Sequence, residues 1–297
     1  MSPAANPDLG APERRRPHKR GRHAVQDVAA ASGSIRAWSV GSGEPVLLIH
    51  GAFGPDGFDS MIEHPALSGC RCIGYRRRGH IDSAANVAGE SIESYAQDAL
   101  AVLDHFGVER AHVLGHSYSG RIALELARQA PARVHSLLLL ECDAPPGLVV
   151  PSAIVDRFRS AAAAYQRGEP ETALEILLTT IGGETSRHDL SAVMGAGWFE
   201  QAVADIGVLF EYELPAPWQL TMPDIAAMAM PSTVLIASNT IDYFREVSTA
   251  LAATLPNCDT TVVPDANHWL NMAQPTAVAP HVGAFIAQHP MTSRSAE

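Results

Sequence analysis

The sequence contains few cysteines, few aromatic residues and no long apolar run. Of its 297 residues only four are cysteine, and 6% are aromatic. No uninterrupted apolar stretch approaches the roughly 18 residues that a membrane-spanning helix requires, so we expect no transmembrane segment and no membrane partner. The cysteines form no C-x-x-C pair, which argues against a zinc site or a disulfide scaffold and favours reduced thiols in a cytoplasmic protein.

The chain is rich in apolar side chains and carries an acidic excess. Apolar residues make up 46% of it and charged residues 18%, a balance that predicts a globular protein with a sizeable core. The formal net charge of −11 argues against nucleic acid as the main partner. The oligomeric state stays open, with a homo-oligomer as one alternative.

The first residues differ in composition from the rest. Residues 1–22 hold six basic and two acidic side chains, together with prolines at positions 3, 7, 12 and 17. No apolar segment follows the arginines, so an export signal is not indicated. We predict a disordered basic tail over residues 1–24.

From residue 34 onward, short apolar runs alternate with helical patterns, which is typical of a parallel α/β sheet. Strands are predicted at residues 35–40, 45–49, 72–75, 111–114, 134–140, 232–236 and 260–263. Helices are predicted at residues 91–106, 120–129, 152–166, 171–180, 246–255 and 275–288. No buried strand is indicated between residues 145 and 230. We therefore predict a core of residues 25–144 and 231–297, with a helical cap, residues 145–230, inserted into it.

A serine between small residues follows one predicted strand. Residues 113–120 read VLGHSYSG, which predicts a strand, a tight turn at Ser117 and a helix. A nucleophile on so sharp a turn needs small residues two positions before and after it, and Gly115 and Ser119 satisfy that need. A serine in this place can also be a plain helix cap, so this segment alone leaves both interpretations open.

A second segment offers donors for an oxyanion. Strand 45–49 runs into His50 and Gly51. The backbone N–H groups of Ala52 and Tyr118 are candidates for the two donors that a tetrahedral intermediate needs. A plain glycine turn would show the same letters.

A histidine in a late loop completes the pair that nucleophilic catalysis needs. His268 follows the predicted strand 260–263, and from a separate loop it can take the proton of a serine hydroxyl. His50 and His116 are interpreted as structural neighbours of the site rather than as bases.

The order of these segments resembles the α/β-hydrolase superfamily. The resemblance covers about residues 25–290 and includes residues 75–83, YRRRGHIDS, which look like the R-G-x-G-x-S loop of that superfamily, with Ile81 in place of its second glycine. It implies an α/β-hydrolase fold: a mostly parallel sheet flanked by helices, with an inserted helical cap. It also implies a catalytic triad of Ser117, His268 and an acid, and no cofactor or metal.

The position of the acid departs from the commonest pattern of the superfamily. Many relatives carry an aspartate in a G-x-x-D loop after the strand that corresponds to residues 232–236, but this loop reads ASNT, ending at Thr240. Glu141, directly after strand 134–140, occupies the place of the acid in haloalkane dehalogenases and in the zearalenone-type lactonases, which are similar in using Ser, Glu and His. We favour Glu141, with Asp242 as the alternative and Asp143 as a third candidate.

Aromatic residues concentrate in the predicted cap. Trp198, Tyr212 and Trp218 favour an apolar substrate chamber over the serine, although packing of the cap would explain them equally well. We also assign Gly51 and Phe53 to the substrate-binding wall. The aromatic cluster suggests a bulky apolar ester or lactone.

These observations predict a serine hydrolase that cleaves a carboxylic ester or lactone, such as the resorcylic lactone zearalenone, through an acyl-enzyme. A carbon–carbon bond hydrolase with the same triad and a non-catalytic small-ligand receptor are the alternatives. Neither a metalloprotease H-E-x-x-H motif nor a phosphate-binding glycine loop of the Walker or dinucleotide type occurs. Metal and nucleotide chemistry are therefore not predicted.

Overall fold

The structure is a computed structural model, which describes residues 23–31, 33–86, 89–195 and 197–291. Residues 1–22 of the predicted basic tail lie outside the described residues. Within them, no helix has both the length and the apolar character needed to cross a membrane.

The described residues form one eight-stranded sheet. Its strands are β1 (Gln26–Ala30), β2 (Gly33–Gly41), β3 (Glu44–Ile49), β4 (Cys70–Arg76), β5 (Ala111–His116), β6 (Val134–Leu140), β7 (Ser232–Ala237) and β8 (Cys258–Val263). The order across the sheet is β1-β2-β4-β3-β5-β6-β7-β8. The β1–β2 and β2–β4 pairs are antiparallel, and every pair from β4–β3 to β7–β8 is parallel. All strands of the parallel part therefore end at one edge of the sheet.

Helices cover both faces of the sheet. The α-helices are α1 (Asp59–Ile62), α2 (Ile92–His105), α3 (Ser119–Gln129), α4 (Ser152–Gln166), α5 (Pro170–Gly182), α6 (Ser186–Met194), α7 (Trp198–Val208), α8 (Met222–Ala226), α9 (Asp242–Thr254), α10 (Leu270–Ala273) and α11 (Pro275–Gln288). Short 3₁₀ turns occupy Pro65–Leu67 and Pro131–Arg133, and a π-helical turn, Leu209–Glu213, follows α7. Apolar residues of α2, α3 and α9 share one core cluster with the insert, and those of α1 and α11, with Leu270 of α10, belong to a second cluster.

Local sequence explains why these elements form where they do. Ser91 caps α2: its hydroxyl accepts from the Ser94 backbone N–H, and the Ser94 hydroxyl accepts from the Ser91 backbone N–H. The run of four leucines at the end of β6 is buried on both faces, as expected for a central parallel strand.

The predicted fold class, a mostly parallel sheet flanked by helices with a helical insert, is confirmed. The insert comprises α4 to α8 between β6 and β7. The α4 and α11 boundaries match the predicted ones, whereas β1 was not predicted and α9 begins four residues earlier than expected. β1 is a mostly exposed edge strand that lacks the apolar run of a buried strand.

Candidate active site

The candidate site lies at the carboxyl edge of the parallel strands. Ser117 directly follows β5, and Ala52 comes shortly after the neighbouring strand β3. The chain places later strands on opposite sides of these two, which makes the crevice between them the topological switch point of the sheet. Ligands of open α/β sheets bind at such a crevice.

Ser117 occupies a strained turn between β5 and α3. Its φ is +55°, in the left-handed region that non-glycine residues seldom adopt. Close packing accounts for the glycines on either side: a Cβ at Gly115 would lie 2.5 Å from the carbonyl oxygen of Ser119, and one at Gly120 would lie 2.0 Å from Sγ of Cys142. The small residues of the motif therefore allow the turn that exposes the serine.

His268 lies within hydrogen-bond distance of the serine. Its Nε2 is 3.0 Å from Oγ of Ser117. The imidazole is fully buried, and the ring of Phe244 stacks on it with centroids 4.0 Å apart. His116 holds the loop of His268 to β5, because its Nε2 lies 2.9 Å from the His268 carbonyl oxygen.

The carboxylate that faces His268 belongs to Glu141. Its Oε2 lies 3.5 Å from Nδ1 of His268, somewhat longer than a hydrogen bond, as catalytic contacts often are without substrate. Its Oε1 accepts from the Ala237 backbone N–H at 2.8 Å, and its Oε2 accepts from the hydroxyl of Thr240. Like Ser117, Glu141 has a positive φ, +47°, at the end of its strand. Both oxygens of this buried carboxylate are thus engaged.

The two other acid candidates lie elsewhere. Asp242 is exposed in the first turn of α9. Asp143 forms an ion pair with Arg121, 2.5 Å from Nη2 to Oδ2, and accepts a hydrogen bond from the hydroxyl of Tyr243.

Two backbone amides beside Ser117 have no internal partner. Among the described residues, neither the Ala52 N–H nor the Tyr118 N–H donates a hydrogen bond. Both residues line the same cavity as Ser117. Two unused donors beside a candidate serine nucleophile are what an oxyanion hole requires.

A cavity of about 340 Å³ opens over Ser117. The insert supplies most of its wall through apolar side chains of α4, α5 and the segment after α7. These are Ile154, Val155, Phe158, Ala162, Leu177, Ile181, Leu209 and Leu214. Arg121 and Asp143 form a polar corner beside the serine, so the cavity suits a molecule that is mostly apolar.

The predicted substrate wall needs correction. Phe53 lines the cavity, but Tyr212 and Trp218 do not. Trp218 instead donates from Nε1 to Oε2 of Glu125 on α3, at 3.0 Å. Trp198 lines a separate pocket of only about 30 Å³, shared with Ala52 and Phe53. The sequence did not show which aromatic residues of the cap face the cavity: the cap's part of the wall is made mainly of aliphatic residues of α4 and α5, with Phe158 of α4 as its aromatic member.

Gly51 does not line the cavity, in contrast to the prediction. Its contribution to the site comes from its backbone and from its lack of a side chain. A Cβ at this position would lie 3.0 Å from Nδ1 of His116 and 3.3 Å from Cβ of Ser117. Its carbonyl oxygen accepts from the guanidinium of Arg77 at 2.8 Å. The glycine thus lets the loop after β3 approach the nucleophile.

Two buried histidines near the site are held neutral. Burial, followed by the neighbouring His268, lowers the pKa of His116 to about 3. Burial also lowers the pKa of His50 well below its usual value, with the charge of Arg77 as the next cause. Neither group is therefore a base of ordinary strength near pH 7.

Sequence reasoning missed Arg77, Glu213 and Thr240. Arg77 and Glu213 are both fully buried and form an ion pair. The signal for Arg77 was available, since three consecutive arginines begin at the last residue of the buried strand β4 and a buried arginine needs a partner. Nothing in the sequence pairs it with a residue 136 positions later.

The fold and the site together define a class of protein: a hydrolase-type α/β enzyme, in which Ser117 and His268 are in contact at the end of a central strand. The chain belongs to the α/β-hydrolase family, since residues 44–275 match the model of that family, described as alpha/beta hydrolase fold.

Characterised relatives match parts of the sequence. The chain is 28% identical over 204 residues to the dihydrolipoyllysine-residue acetyltransferase component of the acetoin cleaving system of Pseudomonas putida, covering 56% of this chain and 54% of that protein. It is 34% identical over 131 residues to a non-heme haloperoxidase of Rhodococcus erythropolis, covering 41% of this chain and 47% of that protein. The chain thus spans about half the length of these relatives.

Solved structures share the fold over most of the chain. A thermophilic esterase from Thermogutta terrifontis superposes with a TM-score of 0.71 at 23% identity, covering 90% of this chain and all of the esterase. Est816, described as an N-acyl homoserine lactone degrading enzyme, superposes with a TM-score of 0.68 at 23% identity, covering 88% of this chain and all of that protein. At this identity the likeness concerns the fold alone.

Proposed function

We propose that this protein is a cofactor-independent serine hydrolase that cleaves a carboxylic ester or lactone. The observation that carries the proposal is the 3.0 Å contact between Nε2 of His268 and Oγ of Ser117, at the mouth of a mostly apolar cavity. A serine is a weak nucleophile until a base takes its proton, and this contact provides that base.

The reaction follows from the positions of the groups. As Oγ of Ser117 attacks the carbonyl carbon, its proton passes to Nε2 of His268, and the amides of Ala52 and Tyr118 stabilise the oxygen that gains negative charge. As the bond between the carbonyl carbon and the alkoxide oxygen breaks, the imidazolium returns the proton to the leaving alkoxide and an acyl-enzyme remains. The alcohol of an ester departs, whereas that of a lactone stays joined to the acyl chain. Water, deprotonated by His268, attacks the acyl carbon, and Ser117 leaves with its proton restored.

Glu141 supports the charged intermediate. When His268 is an imidazolium, both ring nitrogens carry protons, and the carboxylate 3.5 Å from Nδ1 stabilises the charge and orients the ring. The Ala237 amide and the Thr240 hydroxyl hold the carboxylate in place.

The finer part of the proposal concerns the substrate. The apolar wall of α4 and α5 suits a hydrophobic ester or lactone, and the position of Glu141 resembles that of the acid in the zearalenone-type lactonases. We therefore propose a bulky lactone, with zearalenone as the first compound to test.

The test is turnover by purified protein. Nitrophenyl esters of increasing acyl length, acyl homoserine lactones and zearalenone would be incubated with wild type and with Ser117→Ala, and the products separated by chromatography. We expect hydrolysis of at least one apolar ester or lactone by wild type and a loss of at least 10³-fold in Ser117→Ala. Unchanged compounds with wild type would favour a ligand receptor, and equal rates in both proteins would exclude Ser117 as the nucleophile.

A further inference from the structure

A buried ion pair connects the helical insert to the loop after β4. Arg77 follows β4, and Glu213 ends the π-helical turn of the insert. Both side chains are fully buried, and Nη1 of Arg77 donates to Oε1 of Glu213. His80 lies 3.3 Å from the same carboxylate oxygen. Buried charges of this kind are costly to separate from their partners.

The same guanidinium holds the peptide unit that carries the Ala52 N–H. Nη2 of Arg77 donates to the Gly51 carbonyl oxygen at 2.8 Å, and Nε donates to the His50 carbonyl oxygen at 3.1 Å. The carbonyl of Gly51 and the N–H of Ala52 belong to one planar trans peptide, in which they point in opposite directions. Fixing the carbonyl therefore fixes the direction of the N–H.

His50 supplies a second donor to this carbonyl. Its Nε2 lies 2.9 Å from the Arg77 backbone N–H, which can only donate, so Nε2 accepts and the ring proton resides on Nδ1. Nδ1 then donates to the Gly51 carbonyl oxygen, 2.8 Å away. Two donors thus orient one peptide, and one of them is paired with the insert.

The other amide donor is tied to the same residue of the insert. The hydroxyl of Tyr118 donates to the backbone carbonyl oxygen of Glu213 at 3.1 Å. The guanidinium of Arg77 lies 5.1 Å from the centre of the Tyr118 ring. Both residues of the candidate oxyanion hole are therefore connected to Glu213: Ala52 through Arg77, and Tyr118 through a direct hydrogen bond.

We propose that Glu213 is a positioning residue for the oxyanion hole: acting through Arg77, it aims the Ala52 amide, and through its backbone it holds Tyr118. The inference rests on the proposed hydrolase function. It means that the hole is complete only when the insert is seated on the core, so the element that encloses the substrate also completes the stabilisation of the transition state.

The primary test is Glu213→Gln, which keeps the size of the side chain and removes its charge. We expect kcat to fall about 10- to 100-fold while KM changes less than about threefold, because the loss concerns the transition state more than the bound substrate. A trifluoromethyl ketone analogue of the best ester, whose adduct places an oxyanion in the hole, should lose affinity by the same factor as kcat/KM.

A matched control separates positioning from general stability. Asp98 forms a comparable buried ion pair with Arg78, 2.6 Å from Nε to Oδ2. The other hydrogen bonds of Arg78 go to Glu90 and to the Ser94 carbonyl oxygen, and not to the Gly51 peptide. Asp98→Asn should lower the melting temperature but leave kcat and ketone affinity within about twofold of wild type.

A second variant tests the contact between Tyr118 and the insert. Tyr118→Phe removes the hydrogen bond to the Glu213 carbonyl oxygen without changing a charge, and it should lower kcat several-fold. This variant replaces Glu213→Gln as the test if Glu213→Gln does not fold.

The outcomes distinguish this inference from the proposed function. If wild type hydrolyses esters and a folded Glu213→Gln keeps wild-type kcat and ketone affinity, the inference is overturned while the hydrolase function stands. The inference is also overturned if Glu213→Gln fails to fold and Tyr118→Phe behaves as wild type. Wild type that hydrolyses no ester or lactone would remove the proposed function and this inference with it.

Discussion

Glu141 follows strand β6, and Thr240 lies in the loop after the adjacent strand β7. The two residues occupy two alternative positions for the carboxylate that faces the histidine. The loop after β7, where many α/β-hydrolases carry the acid, ends here in Thr240, and the carboxylate comes from the end of β6. The Thr240 hydroxyl donates to the carboxylate oxygen that faces His268. A residue in the usual place of the acid therefore contacts the carboxylate that we propose as the acid.

The two acid candidates can be separated by paired substitutions. We expect Glu141→Ala to lower kcat by 10²-fold or more, because the imidazolium of His268 would lose its charge partner. Asp242→Ala should leave kcat within about twofold, since that side chain is exposed in α9. The measurement is the steady-state rate with the best ester, and the reverse pattern would transfer the role to Asp242.

Thr240 provides a finer test of the same assignment. Thr240→Val keeps the shape of the side chain and removes its donor, so we expect kcat to fall about tenfold, the factor that corresponds to about 1.4 kcal/mol. Thr240→Ser keeps the hydroxyl and should retain most of the activity. Equal rates for the valine and serine variants would show that the hydroxyl does not support Glu141 during turnover.

The sequence predicted the site best where the residues that determine a local conformation lie within one short segment. The turn at Ser117 needs small neighbours, and these can be read directly from residues 113–120. Thr240 and Glu213 act through partners far along the chain, so no local pattern reveals them. Ile81 is intermediate: it stands where the family usually has glycine, and its φ of +51° explains that preference.

At the scale of elements, buried strands and long amphipathic helices could be predicted. Their patterns of apolar residues extend over several residues in a strand and over several turns in a helix. The helices α6, α7 and α8 of the insert were not predicted from the sequence, since α6 and α8 are short and α7 runs into a π-helical turn. The direction of the cap's aromatic side chains depends on how those helices pack. That packing is set by contacts between distant elements, so the wall of the cavity could not be predicted.

The contact between α3 and the end of β6 gives a prediction for packing. A Cβ at Gly120 would lie 2.0 Å from Sγ of Cys142, so Gly120→Ala should destabilise the protein by about 2 kcal/mol or more through overpacking. Gly69→Ala is the matched control, because a Cβ there meets no atom within 4 Å. Urea unfolding would compare them. A Gly120→Ala variant as stable as Gly69→Ala would contradict this packing.

At the scale of the whole molecule, His80 lies between the insert and the core and makes the free energy of unfolding depend on pH. Its ring faces Glu213 and Asp205 of the insert, and Arg77 and His50 of the core. Burial, the largest influence, lowers the pKa of His80, but the carboxylates of Asp205 and Glu213, 3.8 Å and 3.3 Å from its ring nitrogens, outweigh it and raise the pKa above the usual value. The folded state therefore binds this proton more tightly than the unfolded chain does.

The sign of the effect follows from linkage. His80 stabilises the fold fully below the ordinary histidine pKa, about 6.5, and this contribution is lost as the pH rises through the raised pKa of the folded state. We expect His80→Gln to be most destabilising near pH 5.5 and progressively less so toward pH 9, measured as free energy of unfolding in urea.

His112 is a control of opposite sign. Burial lowers its pKa to about 3, so the folded state resists its protonation and the penalty grows as the pH falls below about 6.5. His112→Gln should therefore become relatively more favourable at low pH. A constant difference between wild type and His80→Gln from pH 5.5 to 9 would contradict the role given to His80.

The most direct measurement of the catalytic assignment is mass spectrometry of the protein after reaction with a fluorophosphonate probe. We expect a single covalent adduct on the peptide that contains Ser117, formed in wild type and absent in Ser117→Ala. An unlabelled wild type, or an adduct on another residue that persists in Ser117→Ala, would contradict it.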